Sequence, residues 1–340
     1  MVMAVVGLAA ILLVADGAMA ITIETVTVGN PGNAPDTRYT SPGYGAVPYT
    51  YEIGKYEVTA GQYTAFLNAV AKTDTYGLYN PLMWNSTYGC KIEQSGTVGN
   101  YSYNVASDWA NRPVSYVSWG DAARFANWLT NGQKTGAEGA LSTEDGSYSL
   151  NGAVTREALM AVTREANARY VIPSEDEWYK AAYYDPNKPG GVGYWNYSTR
   201  SDSVPSNDLT NPDPGNNANY DAGFIYGSPY SADYTIGSPY WLTEVGEFEN
   251  SESPYGTFDQ GGNLWEWNEG VRGSTNRALR GGTFGWDDRY LQASVGSDGY
   301  PTSESAAIGG LGFRIAEVPE PATLSLLALG SAALLRRRKR

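Results

Sequence analysis

Three short patterns follow one another between Tyr255 and Arg314: Gly261-Gly262-Asn263-Leu264-Trp265-Glu266-Trp267, then Leu279-Arg280-Gly281-Gly282-Thr283-Phe284, then Gly312-Phe313-Arg314. Strand alternation sends Leu264 and Glu266 to one face and Trp265 and Trp267 to the other, so the first pattern reads as an extended segment anchored by tryptophan. Each arginine lies within two residues of a glycine at a strand end, where its rigid five-donor fork can bridge carbonyls and carboxylates. Arg280 and Arg314 are therefore read as structural.

Composition removes much chemistry. There is no histidine, and Cys90 is the one cysteine. Imidazole-activated nucleophiles are excluded, as are metal sites that need imidazole or several thiolates. An intramolecular disulfide is excluded too, and Cys90, with no second thiol or basic cluster nearby, reads as an incidental thiol. The 340 residues include 40 Gly, 27 Tyr and 10 Trp but only 17% charged residues, a loop-rich, aromatic-packed profile that suits an extracellular domain.

Both ends read as addresses. Val2 to Val14 is apolar and leads to the small-x-small site Ala18-Met19-Ala20, so residues 1–20 are read as a signal peptide. At the other end Pro319-Glu320-Pro321 precedes an apolar stretch over 322–335 and the basic tail Arg336 to Arg340. Fourteen apolar residues make a short span against the roughly 20 of an ordinary transmembrane helix, which suits a transient anchor, with the basic tail held on the cytoplasmic side. The whole chain has 36 acids and 23 bases; without 1–20 and 319–340, 34 acids and 18 bases remain, a net charge of −16. So acidic a body argues against nucleic acid as a partner and is compatible with calcium.

Residues 21–43 read as an N-terminal lead and 44–317 as one domain, with no linker or repeat dividing it. Segments 131–169 and 194–240, rich in turn formers, are expected to be surface excursions. Tyr49 to Val58 reads as a strand. Three capping-box spacings predict helix starts: Thr59 with Gln62, opening Ala60 to Val70; Ser118 with Asp121; and Ser174 with Glu177. Glu175 and Glu177 are expected to stabilise that third helix rather than act as acid or base.

The three opening patterns resemble the G-N-x-W-E-W, R-G-G-S-[WF] and G-F-R signatures of the sulfatase-modifying factor, or formylglycine-generating enzyme, family. Tyr56-Glu57-Val58-Thr59, Arg112-Pro113-Val114-Ser115 and Ile172-Pro173-Ser174-Glu175 resemble its earlier landmarks. The resemblance implies an α+β, C-type-lectin-like fold with little regular structure, small antiparallel sheets and a few helices. The tail over 318–340 resembles the PEP-CTERM sorting signal read by an exosortase. That implies export to the cell surface, outer envelope or extracellular matrix of an exopolysaccharide-making Gram-negative bacterium, with a transient inner-membrane stage.

Family enzymes carry two cysteines after R-G-G-S that bind copper and relay oxidation; here the matching positions fall on Trp286 and Leu291, so no copper or iron site is expected. Trp286, Asp287, Arg289 and Leu291 become candidates for lining a binding groove. Calcium is the ligand for which residues survive. The resemblance implies a site from the Asp259 and Glu266 side chains with the Gly262 and Leu264 carbonyls, an oxygen set suited to a hard cation. A second, weaker set begins at Asn219 and Tyr220, and its later acidic position falls near Gly237. The alternative for Glu266 is a structural ion pair in a tryptophan-anchored core. The expected function is a non-catalytic surface or matrix-associated binding or structural module, holding a glycan or envelope protein where it binds, with a formylglycine-generating oxidoreductase acting on protein cysteine as the disfavoured alternative and a purely structural surface protein behind it.

Overall fold

The computed structural model describes residues 20–224, 232–299, 301–302 and 310–319. All of the expected signal peptide except Ala20, the residues Glu320 and Pro321, and the apolar run 322–335 lie outside the described residues. Among the described residues no helix is long and apolar enough to cross a membrane.

In chain order the elements are β1 (Thr25–Val28), β2 (Tyr51–Gly54), α1 (Ala60–Val70), α2 (Leu82–Asn85), β3 (Ile92–Ser95), β4 (Ser102–Val105), α3 (Trp119–Thr130) and α4 (Arg156–Ala161). There follow β5 (Tyr170–Val171), α5 (Glu175–Tyr183), β6 (Tyr184–Asp185), β7 (Gly193–Tyr194), β8 (Trp265–Arg272) and β9 (Asn276–Arg280). A 3-10 turn over Asp288–Leu291 leads to β10 (Ser297–Gly299), β11 (Leu311–Gly312) and β12 (Ala316–Glu317). One four-stranded sheet has the order β1-β2-β12-β5, a second the order β10-β9-β8-β11, and β3-β4 and β6-β7 are two-stranded. This is an α+β fold of small, mainly antiparallel sheets and a few short helices, as expected.

The three capping boxes form as their spacing predicts. Thr59, Ser118 and Ser174 each accept from the backbone N–H three residues on, and Gln62, Asp121 and Glu177 reach back to the cap. α1 turns Tyr63, Phe66, Leu67 and Val70 inward. Phe66 meets Phe125 and Trp128 of α3 at 5.3 and 5.2 Å between ring centres, and Phe313 of the third signature closes on Phe125 at 5.4 Å. The two edge-on pairs, Phe66–Phe125 and Phe125–Phe313, each add about 0.5–1.5 kcal/mol beyond burial, so the last signature is part of the core that α1 and α3 begin.

Two expectations change. The strand expected over Tyr49–Val58 is a ladder only at Tyr51–Gly54. Beyond it the chain is held by separate bonds, Val58 N to Phe313 O and Val114 N to Val58 O, because different segments flank it there. The excursion 131–169 is also partly interior: Thr143, Ser147 and Tyr148 are buried. Asn127 in α3 donates to the carbonyls of Thr143 and Tyr148, both at 2.8 Å, and buried Arg124 pairs with Glu144 at 2.7 Å. Polar anchors replace apolar periodicity there, and turn composition does not reveal them.

Candidate functional site: the signature loop and its buried carboxylates

β8 is buried on both faces through its first half, from Trp265 to Asn268. Trp267 donates Nε1 to the Val117 carbonyl at 3.0 Å. On the opposite face Glu266, fully buried, receives Arg314 through Nε and Nη2, both at 2.6 Å, and Trp178 Nε1 at 2.8 Å. The Arg314 fork goes on to the carbonyls of Gly54 (2.9 Å) and Phe258 (2.8 Å). The first and third signatures thus meet in one charge-assisted clamp that also ties down β2 and the loop before β8.

The second signature is clamped likewise. Arg280 pairs with Glu175 at 2.7 Å, reaches the carbonyls of Ala293 and Val295, and lies 4.4 Å over the Tyr44 ring. Glu177 completes the capping box expected of it, whereas Glu175 is held by Arg280 and Arg272. Glu177 accepts from its cap Ser174, from Arg164 at 2.8 Å and from Tyr49, and Arg164 with its neighbours holds its carboxyl below the usual range against the opposing effect of burial.

The loop entering β8 follows a left-handed path at Asp259 (φ 59°), Gly262 (φ 92°) and Asn263 (φ 58°). A Cβ at Gly262 would sit 2.3 Å from the Asn219 carbonyl oxygen, so only glycine allows this close approach. Asn263 is the hub: it donates to Glu57 Oε2 at 3.1 Å and accepts from Asn219 at 2.9 Å and from the Thr243 N–H at 3.2 Å. Asp259 accepts from Gly246 N at 2.7 Å; burial pushes its carboxyl up to about 6. Glu57 is raised well above the ordinary carboxylate range, by burial first and then by the charges of Asp259 and Glu266. Glu57 Oε1 and Asn219 Oδ1 are buried with no hydrogen-bond partner among the described residues.

Asp259, Gly262, Leu264 and Glu266 therefore lie on one loop and strand, but Glu266 already spends both oxygens on Arg314 and Trp178. Among the described residues no three His, Cys, Asp or Glu side chains are grouped so as to hold a metal ion, so a cation here would draw on backbone carbonyls. One feature is compatible with a hard cation: buried Glu57 and Asp259 lie within the electrostatic reach of an Arg314 that is already bonded to Glu266, and Glu57 Oε1 and Asn219 Oδ1 are without a hydrogen-bond partner among the described residues. Asn219 belongs to this network; Tyr220 instead donates to the Pro205 carbonyl at 2.7 Å. Glu57, absent from the expected site, gave no sign beyond its place in the Tyr56-Glu57-Val58-Thr59 landmark.

The groove candidates separate. Leu291 is 1% exposed and packs with Tyr197, Ala218 and Tyr220, so it forms a wall. Trp286 is half-buried, stacked on Phe224 at 5.4 Å and edge-on to Tyr290 at 4.5 Å. Asp287 caps the 3-10 turn and pairs with exposed Arg289 at 2.5 Å. A second aromatic group, exposed Tyr88 with Trp241, Tyr234 and Phe284, follows from the second signature, with Tyr88 and Tyr234 at 5.3 and 5.0 Å from Trp241. Trp241 holds φ at 62°, a left-handed conformation that is uncommon for a bulky side chain. Cys90 is buried, with its thiol 3.7 Å from the Ser115 carbonyl and burial pushing its pKa up, away from reactivity.

Comparison with known proteins agrees with the signatures. The model of the sulfatase-modifying factor enzyme 1-like domain matches residues 8–318, and the PEP-CTERM protein-sorting motif matches residues 317–340. No curated protein matches this chain. Similar solved structures include variable protein 1 of Treponema denticola (20% identity, 87% of this chain and 95% of that one, TM-score 0.47). They also include CarF (20% identity, 88% and 99%, TM-score 0.45) and PvdO of Pseudomonas aeruginosa (15% identity, 87% and 92%, TM-score 0.39).

Proposed function

The chain belongs to the sulfatase-modifying factor enzyme 1-like family and carries a PEP-CTERM signal for export and exosortase processing, and from that premise we propose that it is a non-catalytic surface or matrix module. The observation that carries this reading is what stands at the positions the family resemblance assigns to reactive thiols: Leu291 sealed in a wall, and Trp286 stacked between Phe224 and Tyr290. The one thiol, Cys90, is buried elsewhere.

The module's ligand, on this proposal, is a glycan or protein of the outer envelope or matrix of a Gram-negative bacterium, reached after a transient inner-membrane stage. Half-buried aromatic side chains around Trp286 and Trp241 support it, since rings held by neighbours offer contact area at small entropic cost. Retention of the purified chain on immobilised matrix polysaccharide, lost in Trp286→Ala, is expected; elution of the unmodified chain in the void volume contradicts the glycan assignment.

Calcium binding by Asp259, Gly262, Leu264 and Glu266 is part of the proposal. The excess of buried carboxylate supports it, whereas the Glu266–Arg314 pair competes with the ion. An affinity of about 10⁻⁴ to 10⁻³ M, as in extracellular modules, is expected. Calcium should raise the melting temperature of the unmodified chain and leave that of Asp259→Asn unchanged; equal behaviour of the two contradicts the site.

A further inference from the structure

We propose that the end of the first sheet, at Glu52, Arg169 and Glu317, is the surface against which the exosortase docks while it processes this chain; the inference rests on the sorting signal. β12 is an interior strand, paired with β2 on one side and β5 on the other. Among the described residues the last backbone bond is Val318 N to Arg169 O at 2.9 Å. Pro319, the next residue, has no N–H to continue the ladder, and it is also the first residue of the Pro-Glu-Pro motif. The two family matches overlap at residues 317 and 318, so the sorting signal begins inside the folded sheet without a spacer.

Only Pro319, Glu320 and Pro321 separate Val318 from the apolar run that starts at Ala322. Four residue steps at full extension reach about 13 Å. An enzyme that reads this motif beside the membrane is thereby brought against whatever surface surrounds Val318. That surface holds a cavity of about 570 Å³ lined by Thr50, Tyr51, Glu52, Arg169, Glu317 and Val318 together with Pro319.

Its charge is distinctive. Glu52 and Glu317 stand directly opposite across β2 and β12, a like-charge pairing that a sheet ordinarily avoids. Arg169 pairs with Glu317 at 2.8 Å, whereas among the described residues Glu52 is in no ion pair and accepts from the Thr27 hydroxyl at 2.6 Å. A cationic group on the docked enzyme would complete this arrangement, so the contacting surface is basic.

The test is made on the full chain in the bacterium that produces it, following conversion of the precursor to the shortened form. A Gly/Ser insert of about eight residues between Val318 and Pro319 keeps the motif intact and adds roughly 15 Å of reach. It follows the last paired residue, so the fold is retained, as an unchanged melting temperature would show. Loss of the shortened form is expected, as is slower conversion of a folded Glu52→Lys variant. Conversion of the insert at the unmodified rate, or faster, overturns the docking surface. Glu320→Ala in the motif separates the two levels: if the unmodified chain is shortened and this variant is not, the sorting reading stands whatever the insert does. If the unmodified chain is never shortened, both fall.

Discussion

Two carboxylates of the same interior, Glu266 and Glu57, are treated in opposite ways. Around Glu266 every donor is supplied: a bidentate guanidinium from Arg314 and the indole N–H of Trp178. Around Glu57 one oxygen has an amide and the other, among the described residues, has no partner. A buried charge is tolerated when paired and hydrogen-bonded and is expensive otherwise. The first region is therefore a frame, and the second is where charge is left over and where a proton or a cation has most effect.

The largest effect should come from breaking the frame. Arg314→Met leaves Glu266 buried and unpaired, with an expected loss of about 3–5 kcal/mol in urea unfolding. Adding Glu266→Leu should recover much of it, because removing both partners avoids an orphaned charge. If the single substitution costs no more than an ordinary surface change, the clamp is not what holds the signatures together.

Trp178→Phe removes one hydrogen bond to the same carboxylate while keeping most of the ring. A smaller loss, about 1.5–3 kcal/mol, is expected from the same unfolding measurement.

Glu57→Gln should act in the other direction, keeping the shape while removing a charge that burial disfavours. A gain on the order of 1 kcal/mol at pH 7 is expected, read as a higher denaturation midpoint. The sign follows from the raised pKa values. Glu57 and Asp259 stabilise the fold most below their unfolded values near 4.5 and 3.8, and that stability is lost as pH rises through their folded values, about 6 for Asp259. The unmodified chain should therefore lose stability between about pH 4.5 and 6 and beyond, with a shallower slope in Glu57→Gln. Asp36, Glu177 and Asp213, held low by their partners, oppose this at still lower pH. A stability curve flat across that window would remove the contrast between the two regions.

The smallest effect is kinetic: a thiol reagent should leave Cys90 untouched in the native chain and label it at the rate of unfolding, because the thiol is buried with its pKa raised. Rapid labelling without unfolding would show that the interior around Ser115 is open.

The sequence made the frame legible because its causes are local or periodic. Capping boxes place the starts of α1, α3 and α5, and a glycine within two residues of each arginine marks Arg280 and Arg314 as bridging groups. What it hid depends on contacts distant along the chain. Glu57 is 206 positions from its Asn263 partner, and Arg314 meets Glu266 only because β11 lies parallel to β8. Leu291 entered the groove candidates by its position in a pattern, and only three-dimensional packing with Tyr197 and Tyr220 makes it a wall. Segment 131–169 reads as surface because its anchors, Asn127 and Arg124, lie before it in α3.

The central claim, that the family frame is kept while its thiol chemistry is gone, is tested most directly by mass spectrometry of a Cys-x-Pro-x-Arg peptide incubated with the purified chain, copper and oxygen. The account predicts that the peptide keeps its thiol, at most oxidising as it does without protein. Accumulation of an aldehyde-bearing peptide that depends on the chain would contradict it.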